Sequence, residues 1–261
     1  MNSITQVVFW FYEKTFSVLA ACLTCLSRLT QSPLSEFGVY TTAEVNLKQC
    51  SFDKDADAVV LLDEALSNYD DDWQLLTSRR IRIKILNQRA IDWGNISILF
   101  SSKDKFEFIR DIEGITYNAG ENPSISYVNR KNVYTEKVTS YYSKIKFAFP
   151  NVKAGSIIEY RYLSVMKHYG GLENWYFQDQ LPTLRSCYRL QVPPNVLFNY
   201  VIFKKPNYPI TVLPKPDVGQ IYFEMQNIPG LRFEPYMDAP KDYFHRVDFQ
   251  LSGYTTAGGS K

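Results

Sequence analysis

A thiol nucleophile needs an imidazole within hydrogen-bond reach to take its proton and a third group to orient that base. Beyond its first 32 residues the chain offers two cysteines, Cys50 and Cys187, and two histidines, His168 and His245. His168 lies in Lys167-His-Tyr-Gly-Gly171, the composition of an exposed turn, and His245 in Asp242-Tyr-Phe-His-Arg-Val-Asp248, the composition of a strand. No motif sets a thiol against either, so buried free thiols and surface histidines are expected. A glycosidase needs two carboxyls about 5 to 9.5 Å apart, and Glu159 with Glu173 or Asp179 could supply them. Glu159 alternates with tyrosines in Ile158-Glu-Tyr-Arg-Tyr162 and shares a strand face with Arg161, so a solvated cross-strand ion pair is the simpler expectation. Asp70-Asp-Asp72 lacks the spaced ligands of a calcium loop and reads as an exposed turn. Trp175-Tyr-Phe177 could stack on a sugar. Its alternation sends Trp175 and Phe177 to one face and Tyr176 to the other, so core packing is expected on one side. Cys22-Leu-Thr-Cys25 has the CxxC spacing of metal and redox sites, but it lies inside an apolar segment. No catalytic residue, cofactor or metal ligand is assigned to this chain.

The elements that carry these groups read as strands. Alternation is clearest from Trp73 to Leu86, with Ile81, Ile83 and Ile85 on one face and Arg80, Arg82 and Lys84 on the other, the pattern of a half-buried strand. Ala58 to Leu62 is a continuous apolar run, as in a strand covered on both faces. Tyr141, Ser143, Ile145, Phe147 and Phe149 share a face before Pro150, and Ile158, Tyr160 and Tyr162 share one after Gly155, which predicts a β-hairpin. Further strands are expected at 95–100, 105–117, 124–129, 132–139, 175–178, 185–192, 197–204, 220–226 and 243–251, with Gly, Pro, Asn and Asp between them. The fold class is all-β and mainly antiparallel, a β-sandwich over residues 57–251. A polar lead-in arm, 33–56, precedes it, and 252–261 reads as a Gly-rich linker tail.

Twenty-nine basic against 27 acidic residues give a net charge of +2, too weak and too dispersed a field for nucleic acid. Aromatic residues make up 15% of the chain, mostly Tyr and Phe, which suits pleated, half-buried surfaces. The N-terminus decides the compartment. Thr15 to Leu26 is apolar or small behind Lys14, the length of a secretory segment rather than of a spanning helix, so residues 1–32 read as a signal and the protein as exported. Leu19-Ala-Ala-Cys22 resembles a lipobox, which makes Cys22 the lipidation candidate and this segment the one contact with a membrane. Ordinary cleavage between Ser27 and Ser32 is the alternative.

Several motifs occur in order: Ala56-Asp-Ala-Val-Val-Leu-Leu-Asp-Glu64, Arg82-Ile-Lys-Ile-Leu86, Ile115-Thr-Tyr-Asn118, Phe147 to Tyr162, Trp175-Tyr-Phe-Gln178, Leu181-Pro182 and Ile228-Pro-Gly-Leu-Arg-Phe-Glu-Pro-Tyr236. Together they resemble the domain of unknown function 3857, over residues 36 to 251. The resemblance implies a β-sandwich accessory domain that stands before a transglutaminase-like, papain-related domain in exported bacterial proteins, in the periplasm or on the outer membrane. The catalytic Cys, His and Asp would belong to that partner domain, so no residue here inherits a role. Cys187 departs from the family, which usually has an acidic or polar residue there. The expected function is a non-catalytic module that positions or covers the partner domain or its substrate. The alternative is a free-standing module that recognises envelope glycan or peptide.

Overall fold

The computed structural model describes residues 36–167, 172–194, 196–215, 219–232, 237, 239–256 and 259–260. Cys22, the whole apolar segment around it, and His168 lie outside the described residues. Residues 1–39 and 40–261 are separate units. Of the first only a turn is described, closed by the Val39 amide on the Glu36 carbonyl at 3.1 Å.

The second unit is built from strands β1 (Ala58–Tyr69), β2 (Leu75–Ile85), β3 (Asn95–Ser101), β4 (Glu107–Asn118), β5 (Ser124–Tyr127), β6 (Tyr134–Lys137), β7 (Tyr142–Ala148) and β8 (Ile157–Met166). Then follow β9 (Trp175–Tyr176), β10 (Thr183–Gln191), β11 (Val196–Phe203), β12 (Ile210–Lys215), β13 (Gln220–Ile228), β14 (Arg246–Thr256) and β15 (Gly259–Ser260). One five-residue helix, α1 (Thr42–Asn46), lies in the arm, with Thr41 and Glu44 forming a capping box. An eight-stranded sheet in the order β12-β13-β10-β1-β2-β8-β4-β5 is the frame. Its ladders are antiparallel except for β1 with β10.

Two smaller sheets pack on one face of the frame. The β3-β7-β6 sheet buries Ile96, Ile98, Phe100, Ile145 and Phe147 against Ile81, Ile83, Ile158 and Tyr160. The sheet of β11, β14 and β9 buries Trp175, Phe177 and Val247 against Ala65, Tyr188, Leu190, Phe223 and Met225. Arg79 pairs with Ala65 and Ile81 with Asp63 across one ladder, so both cores lie on the same side of the frame. The all-β, mainly antiparallel sandwich holds, and its second layer is divided in two.

The expected hairpin around Pro150 and Gly155 is not one. The face assignment holds from Ser143 onward, with Ser143, Ile145, Phe147 and Phe149 all buried, whereas Tyr141 precedes β7 and is exposed. Yet β7 pairs with β3 and β6, whereas β8 pairs with β2 and β4, so the connection carries the chain from one layer to the other. Period-two patterning and turn residues fix where a strand ends and which face it buries. They do not say whether the next strand joins the same sheet. β12 went unread because Pro214 interrupts it, and it is tolerated because β12 is an edge of the frame. β14 also runs past Leu251 to Thr256, and Thr255 and Thr256 pair with Ser260 and Gly259 of the segment read as linker.

Two of the family-like motifs explain each other. The Leu231 amide donates to the Asp179 carbonyl at 2.8 Å, and a Cβ on Gly230 would stand 2.1 Å from the Gln180 carbonyl oxygen. A residue without a side chain lets the Ile228-Pro-Gly run lie against the turn before Leu181-Pro182.

Candidate functional site

From Ile81 to Ile85 both faces of β2 are buried. The face read as solvated carries Arg82 and Lys84 at 1% and 2% exposure, beside Glu159 at 0%. The arm covers them. Tyr40, Val45, Leu47 and Phe52 pack with Cys50 on Val59, Leu61 and Ile157 of the frame's outer face. Arg82 donates to Glu159 at 2.9 Å and to Glu44 of α1 at 2.5 Å, with its guanidinium 4.8 Å from the Tyr40 ring. Lys84 donates to the Val45 and Gly155 carbonyls at 2.8 and 2.7 Å. The expected cross-strand ion pair of Glu159 thus forms, with Arg82 of β2, but it is buried rather than solvated. Arg161 instead donates to Glu113 at the surface, at 2.7 Å. Alternation showed which residues share a face but not that an arm folds over it.

This outer face carries a polar row across six strands: Glu113, Arg161, Arg80, Glu64, Cys187 and Glu224 occupy successive registered positions. Burial pushes the Cys187 thiol up to about 12, although Arg185 favours its anion. Cys50 and Cys187 are both free and buried. His245 is buried immediately before β14, with its ring 4.7 Å from Tyr208 and its amide donating to Gln178 at 3.1 Å, and burial pushes its pKa down. It is a core histidine rather than a surface one, and the structure does not bring it to either thiol.

Burial pushes the Glu44 carboxyl up, but the Thr41 amide and the Arg82 guanidinium outweigh that and hold it below the usual carboxylate range. A carboxyl depressed by folding contributes stability that is fully present above its unfolded pKa, ordinarily 4.5. That stability is lost as pH falls through the lower folded value. Acidification below about pH 4.5 is therefore expected to release the arm first. Hydrogen exchange should show Val45 losing protection while β2 and β8 keep theirs, and Glu44→Gln should abolish this early step.

On the inner face a cavity of about 590 Å³ opens between the two smaller sheets, floored by β1, β2 and β8 of the frame. Arg79 on its floor makes a two-point contact with Asp63, Nε to Oδ1 at 3.0 Å and Nη2 to Oδ2 at 2.7 Å. Burial disfavours the guanidinium charge, but the Asp63 carboxylate outweighs it and keeps Arg79 cationic. The guanidinium also lies 4.9 Å from the Trp175 ring, which stacks on Tyr188 at 5.1 Å and donates from Nε1 to Ser186 at 3.2 Å. Tyr160 and Tyr162 stack at 6.4 Å alongside, and burial pushes both hydroxyls up. Glu107 accepts from the Ser101 amide at 2.8 Å and from Ser164 Oγ at 2.7 Å.

The cleft gathers some of the residues singled out in the sequence. Glu173, Asp179, Trp175 and Tyr176 all line it, while Phe177 is wholly buried in the core behind. Glu159 projects from the opposite face of the frame, so neither proposed carboxylate pair with it forms. Asp70-Asp-Asp72 is the β1–β2 turn as read, and the Asp70 carboxylate accepts from the Asp72 and Gln74 amides. Asp63 and Arg79 were missed. Their signal was a carboxylate directly after the apolar run of β1 and a basic residue in register with Ile81 and Ile83.

An eight-stranded sheet carrying two smaller ones, with a polar, aromatic-walled cleft between them, defines a two-layer β-sandwich domain. The chain belongs to the family described as a domain of unknown function with a solved structure, DUF3857, whose model matches residues 75–232. No curated protein matches its sequence. Among solved structures it is similar to a "putative protease" from Parabacteroides distasonis ATCC 8503, with 12% identity and a TM-score of 0.61 over 76% of this chain. That likeness covers 41% of the Parabacteroides protein, so this chain spans less than half of it. Leukotriene A4 hydrolase from Saccharomyces cerevisiae (8% identity, TM-score 0.39, 90% of this chain and 34% of that one) is a weaker likeness. An M1 zinc metallopeptidase from Deinococcus radiodurans is weaker still (9%, 0.35, 74% and 42%), and neither of the two carries an argument.

Proposed function

We propose that this chain is a non-catalytic, exported module that serves a transglutaminase-like, papain-related envelope peptidase by positioning or covering its catalytic domain or substrate. The carrying observation is Cys187. Its thiol is buried, is pushed up to about 12, and has Arg185, Glu64, Glu224 and Tyr222 rather than an imidazole as its charged and polar neighbours. A thiol protonated at neutral pH is neither nucleophile nor metal ligand. The family and the partial likeness to a larger protein described as a protease support an accessory place. The apolar N-terminal segment supports export, and Cys22 remains the candidate for a lipid.

The test pairs reactivity with activity. In the folded protein Cys187 is expected to resist iodoacetamide at pH 8 for hours and to react within minutes in denaturant. The chain alone should neither hydrolyse peptides nor transfer amides, and adding it to a transglutaminase-like partner should change that partner's KM. Hydrolysis by the chain alone that vanishes in Cys187→Ala would overturn the reading. A second reading, a binding module in its own right, is favoured by the inner cleft.

A further inference from the structure

β3 is an edge strand, paired with β7 on one side. The Gly94 carbonyl accepts from the Phe149 amide and the Ser102 amide donates to the Tyr141 carbonyl. Hydrogen bonding alternates along an antiparallel strand, so Ile96, Ile98 and Phe100 give their backbone groups to β7 in the same way. Ser97, Leu99 and Ser101 therefore turn theirs to the opposite side, as does Asn95, whose amide is already taken by the Asp92 carbonyl. Ser101 shows this directly, because its amide is taken by Glu107 at 2.8 Å. Asn95, Ser97 and Leu99 line the cleft, and Leu99 is 54% exposed. A strand edge thus faces a cavity whose opposite wall is β9, with Tyr176 packed on Phe244 at 5.7 Å.

The lining is acidic. Asp63, Glu107, Glu173 and Asp179 are four carboxylates against one guanidinium, Arg79, an excess of three. The whole chain carries +2, so this excess is local.

We propose that the cleft binds an extended peptide with basic side chains, added as a strand on the free edge of β3. Backbone hydrogen bonds to Ser97 and Leu99 hold its main chain, and every second side chain projects the same way. Glu173 and Asp179 attract its cationic groups, and the Tyr176 ring offers a face on which a Lys or Arg can rest. Acidic peptides are repelled, and glycans lack the run of amides that the edge requires. The inference stands on the cleft and holds with or without the accessory reading, since it needs no partner domain.

The test uses the full chain and the octapeptide Lys-Val-Lys-Val-Lys-Val-Lys-Val, with tryptophan fluorescence and calorimetry as readouts. Binding is expected to weaken with salt and to fall about 3- to 10-fold in the Glu173→Gln, Asp179→Asn double variant. The same peptide with alternate amides N-methylated should lose at least about 10-fold on the unaltered protein. Ser97→Pro, which removes an edge amide without touching the β7 ladder, should do likewise. Four outcomes would overturn the proposal: equal affinity for the Glu-Val octapeptide, undiminished binding of both N-methylated registers, no peptide binding at about 1 mM, or binding of a chitin tetrasaccharide in place of the peptide.

Discussion

Glu159→Gln is expected to destabilise the protein by about 3 to 5 kcal/mol, because it leaves the Arg82 guanidinium buried without its main counter-charge. At roughly 2 to 4 °C per kcal/mol for a domain of this size, the melting temperature should fall by about 10 °C. The size of the effect comes from desolvation rather than from the worth of the pair. Arg82 is 1% exposed and Glu159 0%, so neither can recover water when the other is removed. Replacing both partners with apolar residues, Arg82→Met with Glu159→Leu, should therefore cost less than the single change. Glu44 sets the limit of that compensation, since Arg82 also holds α1 at 2.5 Å, and the double variant should lose the arm while keeping the sandwich. Equilibrium urea unfolding of the three proteins checks this. A single-variant loss below about 1 kcal/mol would mean that water reaches the pair.

The same pair shows what was legible in the sequence. Period-two patterning named the strands and their faces, and most expected strands appear within a few residues. It correctly set Arg80, Arg82 and Lys84 opposite Ile81, Ile83 and Ile85. It failed on what lies over that second face, because alternation reports a contrast between two sides and not the exposure of either. The arm that covers Arg82 joins the frame through contacts between Glu44 and Arg82 and between Val45 and Lys84, which are 38 and 39 residues apart. Nothing local encodes them. The Pro150–Gly155 connection failed for a related reason, since a hairpin and a crossover between layers use the same turn residues. The cleft was half legible. Trp175, Tyr176, Glu173 and Asp179 drew notice as residue types, but their meeting with Asp63 and Arg79 depends on which layer each strand joins.

Phe177→Ala and Tyr176→Ala, adjacent on the chain, are expected to differ sharply. Phe177 is 0% exposed and sits in the core between the frame and the β9-β14-β11 sheet, with Phe223, Tyr188 and Val247. Truncating it should cost about 3 to 5 kcal/mol, the transfer free energy of a phenyl ring plus that of the cavity left behind. The loss should concentrate in the smaller sheet. β9 spans two residues and pairs with β14 at Arg246 and Val247, extended by the Phe177 amide on the His245 carbonyl, and a ladder this short leaves the strand dependent on packing. Tyr176 points the other way, is half-buried, and touches Phe244 at the mouth of the cleft. Its truncation should cost about 1 kcal/mol or less in stability, and weaken basic-peptide binding by several-fold through the lost cation-π face. Thermal melts and peptide titrations on the two variants separate core from platform. Comparable destabilisation by both would place Tyr176 in the core, and comparable loss of peptide binding without destabilisation would place Phe177 at the ligand.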